Sequence, residues 1–339
     1  MRAVQKSYCT VQFLENMRKQ RKTELGYKVA SRIIEDLSDV YIDATNEERE
    51  YLIKNDQYFR MLFKRENKSL KSAVGWKSTV QFDSIADDVF FIHPDYISGY
   101  KEIQEKFGCI IISSDEADLR RLVQFNDKRG YVCIVPKDDR ISQLDSAYQD
   151  SWNQALCTCR ITPINSLIIS DNYLFSEKFT ERKENGLFAL LKGLIPSQLE
   201  TDFHIAIFSH VGKNLFKREQ AEELITEIRN LFPDMGMKIS IIVHTKKSTT
   251  HDREILSNYH RLTSGAGFSL IEGDGIKEVA RGTIEPVFHA LVTTDKNHMV
   301  TKHFHFQTIE WLKEIYSGRS GMLAETTYIV GDKEHRLLD

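Results

Sequence analysis

The chain has 339 residues, 41% of them hydrophobic and 28% charged, with a net charge of −3. That is apolar material for about two domains with cores of their own, and sparse Gly (17) and Pro (6) beside 10% aromatics exclude a disordered or fibrous chain. Residues 1–150 carry 24 basic and 25 acidic side chains and residues 151–339 carry 22 and 24, so neither half is a basic nucleic-acid module by bulk charge. Five cysteines (Cys9, Cys109, Cys133, Cys157 and Cys159) are too few and odd in number for a secreted disulfide framework. The N-terminus lacks an apolar stretch of signal-peptide length, and no run approaches the roughly 20 apolar residues that span a bilayer. The expectation is a soluble, reduced, cytoplasmic protein without a transmembrane segment.

In chain order, residues 10–38 have helical spacing, with Val29, Ala30, Ile33, Ile34 and Leu37 on one stripe. DVYIDAT (39–45) is a short strand or turn, and 47–65 a second helix with Tyr51, Leu52, Tyr58, Phe59, Leu62 and Phe63 inside. From 88 onward strand and helix alternate: DVFFIHPD (88–95), a helix over 96–108 closed by Gly108, CIIISSD (109–115), a helix over 116–125 and GYVCIVP (130–136). Such alternation predicts an α/β layer with parallel strands. Residues 137–160 are polar and without period, and they place a boundary near 150. The fold class is therefore α/β in two domains: a helical lead-in with a small α/β unit over 1–150, and a larger α/β domain over 151–339.

The alternation resumes with NSLIISD (165–171), a largely helical 178–194, FHIAIFSH (203–210), a helix over 217–232, MKISIIVHT (237–245) and HDREILSNY (251–259). GAGFSLIEG (265–273) and TIEPVFHALVTT (283–294) follow. A last helix over 303–318 has Phe306, Ile309, Leu312 and Ile315 on its stripe. The strands 165–171, 203–210 and 237–245 are expected to neighbour one another in one sheet, with helix 217–232 packed on it.

One segment carries a chemical pattern. His251, Arg253, Asn258 and Gly265 fit H-x-[K/R]-x4-[D/N]-x6-G after an apolar strand. On these residues the chain resembles the phospholipase D superfamily, whose motif is H-x-K-x4-D-x6-G-S-x-N. The resemblance covers the motif and, loosely, the pattern of 161–318, but not the first 150 residues. It implies a phospholipase D-like C-terminal fold and recognition of a phosphodiester, with metal-independent hydrolysis as the activity of an intact motif. His251 would be the nucleophile, Arg253 the phosphate clamp, Asn258 the group at the orienting Asp position, and Gly265 a close backbone approach. The chain departs from the pattern at Arg253, at Asn258, and at Ala266 and Phe268 in place of Ser and Asn. A single motif implies a homodimer that brings two copies face to face. Nucleic acid is favoured over lipid as ligand, since no long amphipathic helix rich in aromatics is present. A degenerate nuclease-like domain of this kind suits an antiviral defence or mobile-element system. The alternative from another class is a non-catalytic interaction module that binds a protein partner and dimerises through the C-terminal domain.

Other constellations are weaker. Residues 54–77 hold seven Lys or Arg against two acids, interleaved with aromatics. Lys64, Arg65, Lys68, Lys71 and Trp76 could hold a nucleic-acid backbone and stack a base, or they could be the solvated face of an amphipathic helix. Asp115 and Asp171 end strands, where with Asp43 they could gather Mg²⁺ or could instead cap the helices that follow, and capping is the expected role of Asp115 and Asp171. Cys157 and Cys159 lack zinc-ligand spacing, and His303 and His305 do not share a helix face. No P-loop and no dinucleotide fingerprint occurs, so no cofactor and no metal are expected.

Overall fold

The computed structural model describes residues 5–65, 69–76, 90–94, 99–127, 130–134, 164–175, 179, 183–210, 216–244, 253–264, 271–272, 275–276, 280–286, 308–316 and 328–338. The protein is mixed α/β, and it divides into two compact units, Met1–Lys128 with Pro286–Phe306, and Arg129–Glu285 with Gln307–Asp339. No helix among the described residues is long and apolar enough to cross a membrane.

The first unit is built on β1 (Gln5–Cys9), β2 (Ser38–Ile42), β3 (Leu70–Ser72), β4 (Phe90–His93) and β5 (Ile110–Ile111). They form one sheet in the order β3-β2-β1-β4-β5, and every pairing is parallel. The expected helical lead-in is thus an integral part of a doubly wound sheet that starts at residue 5. The strand order reverses between β1 and β4.

Helix α1 (Val11–Gln20) starts at Thr10, whose side chain accepts from Phe13 N, and α2 (Leu25–Arg32) continues as a π-helical turn over Ile33–Leu37. The helix expected over 47–65 is two. α3 (Asn46–Asn55) opens with a capping box between Thr45 and Glu48, and Asp56 leaves the helical region and caps α4 (Gln57–Phe63). Tyr51 and Phe63 are exposed rather than buried.

Helix α5 (Tyr100–Phe107) ends at Gly108, which takes φ +63° as expected for a C-terminal cap. Helix α6 (Glu116–Asp127) lies against α2. They cross closely at Gly26, where an added Cβ would stand 2.5 Å from Leu119 Cβ. One sheet face buries Phe13, Leu14, Met17, Val40, Ile42 and Phe91, and the other carries a cluster of Tyr8, Trp76, Ile92, Phe107, Cys109 and Ile111.

The second unit holds β6 (Gly130–Ile134), β7 (Ser166–Ser170), α7 (Ala189–Leu194), β8 (Phe203–His210), α8 (Arg218–Leu231), β9 (Met237–His244), β10 (Arg253–Ser257), β11 (His260–Ser264), β12 (Ile271–Glu272), β13 (Gly275–Ile276) and β14 (Ala280–Pro286). A helix α9 over 308–316 and β15 (Tyr328–Gly331) complete it. Its main sheet runs β15-β9-β8-β7-β10-β11-β14-β6. The centre β7-β8-β9 is parallel and in register, as the apolar runs predict, and α8 buries Ala221, Leu224, Ile225 and Ile228 against β9 and β15. The remaining described pairings are antiparallel: β10 with β7 and β11, β15 with β9, and β14 with β6. The strand over 130–134 is where the alternation puts it, but its partner is β14 of this sheet rather than a strand of the first.

Candidate functional site

The sheet of the second unit offers one edge where chemistry gathers. There β7, β8 and β9 end together, and antiparallel β10 begins beside β7. The carboxyl ends of parallel strands are the edge at which open α/β sheets take ligands.

Arg253 is the first residue of β10, one position before the pair Glu254–Ser170. That register places it level with Asp171, which follows β7. The Arg253 Nε stands 3.6 Å from Asp171 Oδ1, with side-chain exposures of 15% and 11%. Its guanidinium lies 4.8 Å from the centre of the Tyr173 ring, a cation–π contact. Asp171 is itself fixed: its N–H donates to the Phe208 carbonyl at 3.0 Å, and its Oδ1 accepts from Tyr173 N at 2.8 Å. One carboxylate therefore shapes the turn after β7 and faces the guanidinium.

Asn258 is wholly buried in the turn between β10 and β11. Its Oδ1 accepts from Ser166 N at 2.9 Å, from Ser166 Oγ at 3.0 Å and from Asn165 N at 3.3 Å, and its Nδ2 donates to Asn165 Oδ1 at 2.6 Å. It ties the hairpin to the start of β7, at the opposite end of that strand from Arg253. The Asn258 side chain thus braces the hairpin that carries Arg253 from the far end of β7. His251 and Gly265 lie outside the described residues.

Sequence reasoning missed four neighbours of this edge. His210 and His244 are register partners at the ends of β8 and β9, with ring centres 6.2 Å apart, and Trp311 of α9 stands edge-on to His244 at 5.8 Å. The signal was present: FHIAIFSH and MKISIIVH are apolar runs that both finish in His. Tyr173, the fourth, carries no local pattern. The next residue on β10, Glu254, is buried and paired with Arg261 across the hairpin.

The basic segment of the first unit separates into unlike parts. Arg65 turns inward and donates to five backbone carbonyls: Ile34 at 2.7 Å, Leu62 at 2.9 Å, Glu35 at 3.0 Å, Ser38 at 3.3 Å and Ser69 at 3.5 Å. Trp76 is 1% exposed, with its ring edge-on to Tyr8 at 6.1 Å, and so has no face for a base. The expectation of Arg65 and Trp76 as exposed parts of a nucleic-acid surface is corrected, because Trp76 is buried in the core and the half-buried Arg65 is spent on backbone carbonyls. Lys64 and Lys71 are exposed, Lys71 donating to Tyr41 Oη at 3.2 Å, and Lys68 lies outside the described residues.

Of the strand-end carboxylates, Asp115 caps the helix that follows it, whereas Asp43 and Asp171 each accept from a turn backbone instead. Asp43 Oδ1 accepts from Gly75 N and Asp115 Oδ1 from Ala117 N, each at 2.7 Å. Among the described residues no group of three or more His, Cys, Asp or Glu is placed to hold a metal ion. Cys157, Cys159, His303 and His305 lie outside the described residues. No protein-family model matches the chain, and no curated protein matches it.

Proposed function

We propose that the second unit is a phospholipase D-like module that recognises a phosphodiester, with nucleic acid as the ligand, where β7 ends and β10 begins. The observation that carries the reading is the placement of Arg253. A cation sits at the carboxyl-end edge of the sheet, backed by an aromatic ring, and two residues after His251 in the sequence. A guanidinium there offers paired N–H donors to phosphate oxygens and neutralises charge as it builds.

In this reading the neutral imidazole of His251 attacks phosphorus and forms a phospho-histidine. A second imidazole, from the partner copy in a homodimer, protonates the leaving oxygen as its bond to phosphorus breaks, and then takes a proton from the water that attacks the phospho-histidine and frees His251. Asn258 acts as a positioning residue that pins the hairpin carrying Arg253. Hydrolysis of this type needs no metal.

The test is turnover of bis(4-nitrophenyl) phosphate, with binding of a fluorescent single-stranded oligonucleotide measured alongside. Arg253→Ala should weaken binding at least tenfold, and His251→Ala should abolish turnover that persists in EDTA. Turnover that survives His251→Ala and is lost in EDTA overturns the mechanism in favour of a carboxylate-held metal. A non-catalytic interaction module is the second reading. It is favoured by the commitment of Asn258 to packing and of Arg253 to Asp171, and binding unchanged in Arg253→Ala together with no turnover would establish it.

A further inference from the structure

The pairing of Arg253 with Asp171 deepens that reading and rests on it. A clamp for phosphate that already faces a carboxylate is partly neutralised before any ligand arrives. The two side chains are largely buried, so the attraction is screened less than at an open surface. Nor is the carboxylate free to swing away: the Tyr173 N–H holds its Oδ1, and the backbone of Asp171 is bonded to β8. The guanidinium also lies over the Tyr173 ring, 4.8 Å from its centre.

We infer that Asp171 is an affinity-setting latch for the phosphate clamp: in the unliganded protein it holds Arg253 as an ion pair, and a phosphodiester must compete with it for the guanidinium. Asp171 is a positioning residue here and touches no reacting atom. The contact is an Nε approach at 3.6 Å, longer than the paired bonds of a bidentate fork, which suits a pair that exchanges partners.

The experiment is a double-mutant cycle on oligonucleotide affinity, read by fluorescence anisotropy on the full chain at fixed low salt. Asp171→Asn removes the charge and keeps an oxygen for the Tyr173 N–H, so the turn is retained. It should tighten binding about fivefold. In the Arg253→Ala background the same change should have no effect, because nothing remains to be released. Binding by Asp171→Asn that equals or falls below wild type, while Arg253→Ala still weakens it, overturns the latch and leaves the clamp standing. A tightening by Asp171→Asn that persists in Arg253→Ala also overturns it, since the gain would then be loss of general repulsion. Arg253→Ala without effect in either background overturns the phosphodiester reading itself.

Discussion

Asn258 and Asn165, 93 residues apart in the chain, meet side chain to side chain at 2.6 Å in the core of the second unit. The same Asn258 amide takes up the backbone N–H groups at the start of β7. Both side-chain polar atoms of Asn258 therefore have partners in the buried interior. Leaving such groups unmatched costs about 1–3 kcal/mol each.

Asn258→Asp restores the acid of the phospholipase D motif, but it buries a charge against Asn165 Oδ1. It should lower stability by about 1–3 kcal/mol at pH 7 and not raise activity. Asn258→Ala should cost about 2–4 kcal/mol by leaving the donors at Asn165 and Ser166 unmet. Denaturant unfolding of the two variants checks both values. An Asp variant as stable as wild type and more active would return Asn258 to a catalytic role.

Arg65 joins the turn after α2, the end of α4 and the start of β3 through carbonyl groups alone. Arg65→Ala should destabilise the protein by about 2–4 kcal/mol and leave nucleic-acid affinity unchanged. Arg65→Lys should recover only part of the stability, since a single ammonium cannot span the fork. A measured loss of affinity without loss of stability would return Arg65 to the surface.

Buried imidazoles, His93, His260 and His335 among them, weigh on the acid stability of the fold. Burial pushes His93, stacked at 4.8 Å on the Phe13 ring, down to about 3, and His260 down to about 4. His335 is also pushed down by burial, to about 3. Its Nδ1 accepts from Leu337 N, so its proton sits on Nε2, which donates to the Leu167 carbonyl. Because all three pKa values are depressed in the folded state, the unfolded chain binds more protons below the ordinary value of 6.5. Their stability is fully present above that pH and falls as pH drops from 6.5 towards 3–4, by up to about 1.4 kcal/mol per pH unit for each group. His93→Phe, which suits the aromatic stack, should flatten the fall in unfolding free energy between pH 6 and 4. An unchanged slope in that variant would exclude His93 as a contributor.

Legibility varied with how much each signal was local. The apolar runs of β7, β8 and β9 and the four-residue stripe of α8 state their own burial, so the parallel centre of the second sheet was readable. β1 was not. Gln5–Cys9 is short and polar in composition, and Ser7 is buried there only because its hydroxyl donates to Ser38 Oγ, 31 residues away. β6 was seen as a strand but not as a partner of β14, since pairing is a non-local choice that periodicity does not encode. At the candidate site, Arg253 was legible from motif spacing. Asp171 was legible only as a strand end, and its pairing with Arg253 follows from the antiparallel register of β10 on β7. The charge run over 54–77 misled because a count of cations does not say which of them turns inward, as Arg65 does.

The central claim is that a phosphodiester docks where β7 ends and β10 begins. Ultraviolet crosslinking of a thymidine-rich single-stranded oligonucleotide, with the attached peptides located by mass spectrometry, tests it most directly. Crosslinks should map to the peptides that contain Tyr173 and Arg253, and they should disappear in Arg253→Ala. Crosslinks confined to the first unit, around Lys64 and Lys71, and unaffected by Arg253→Ala would contradict the account.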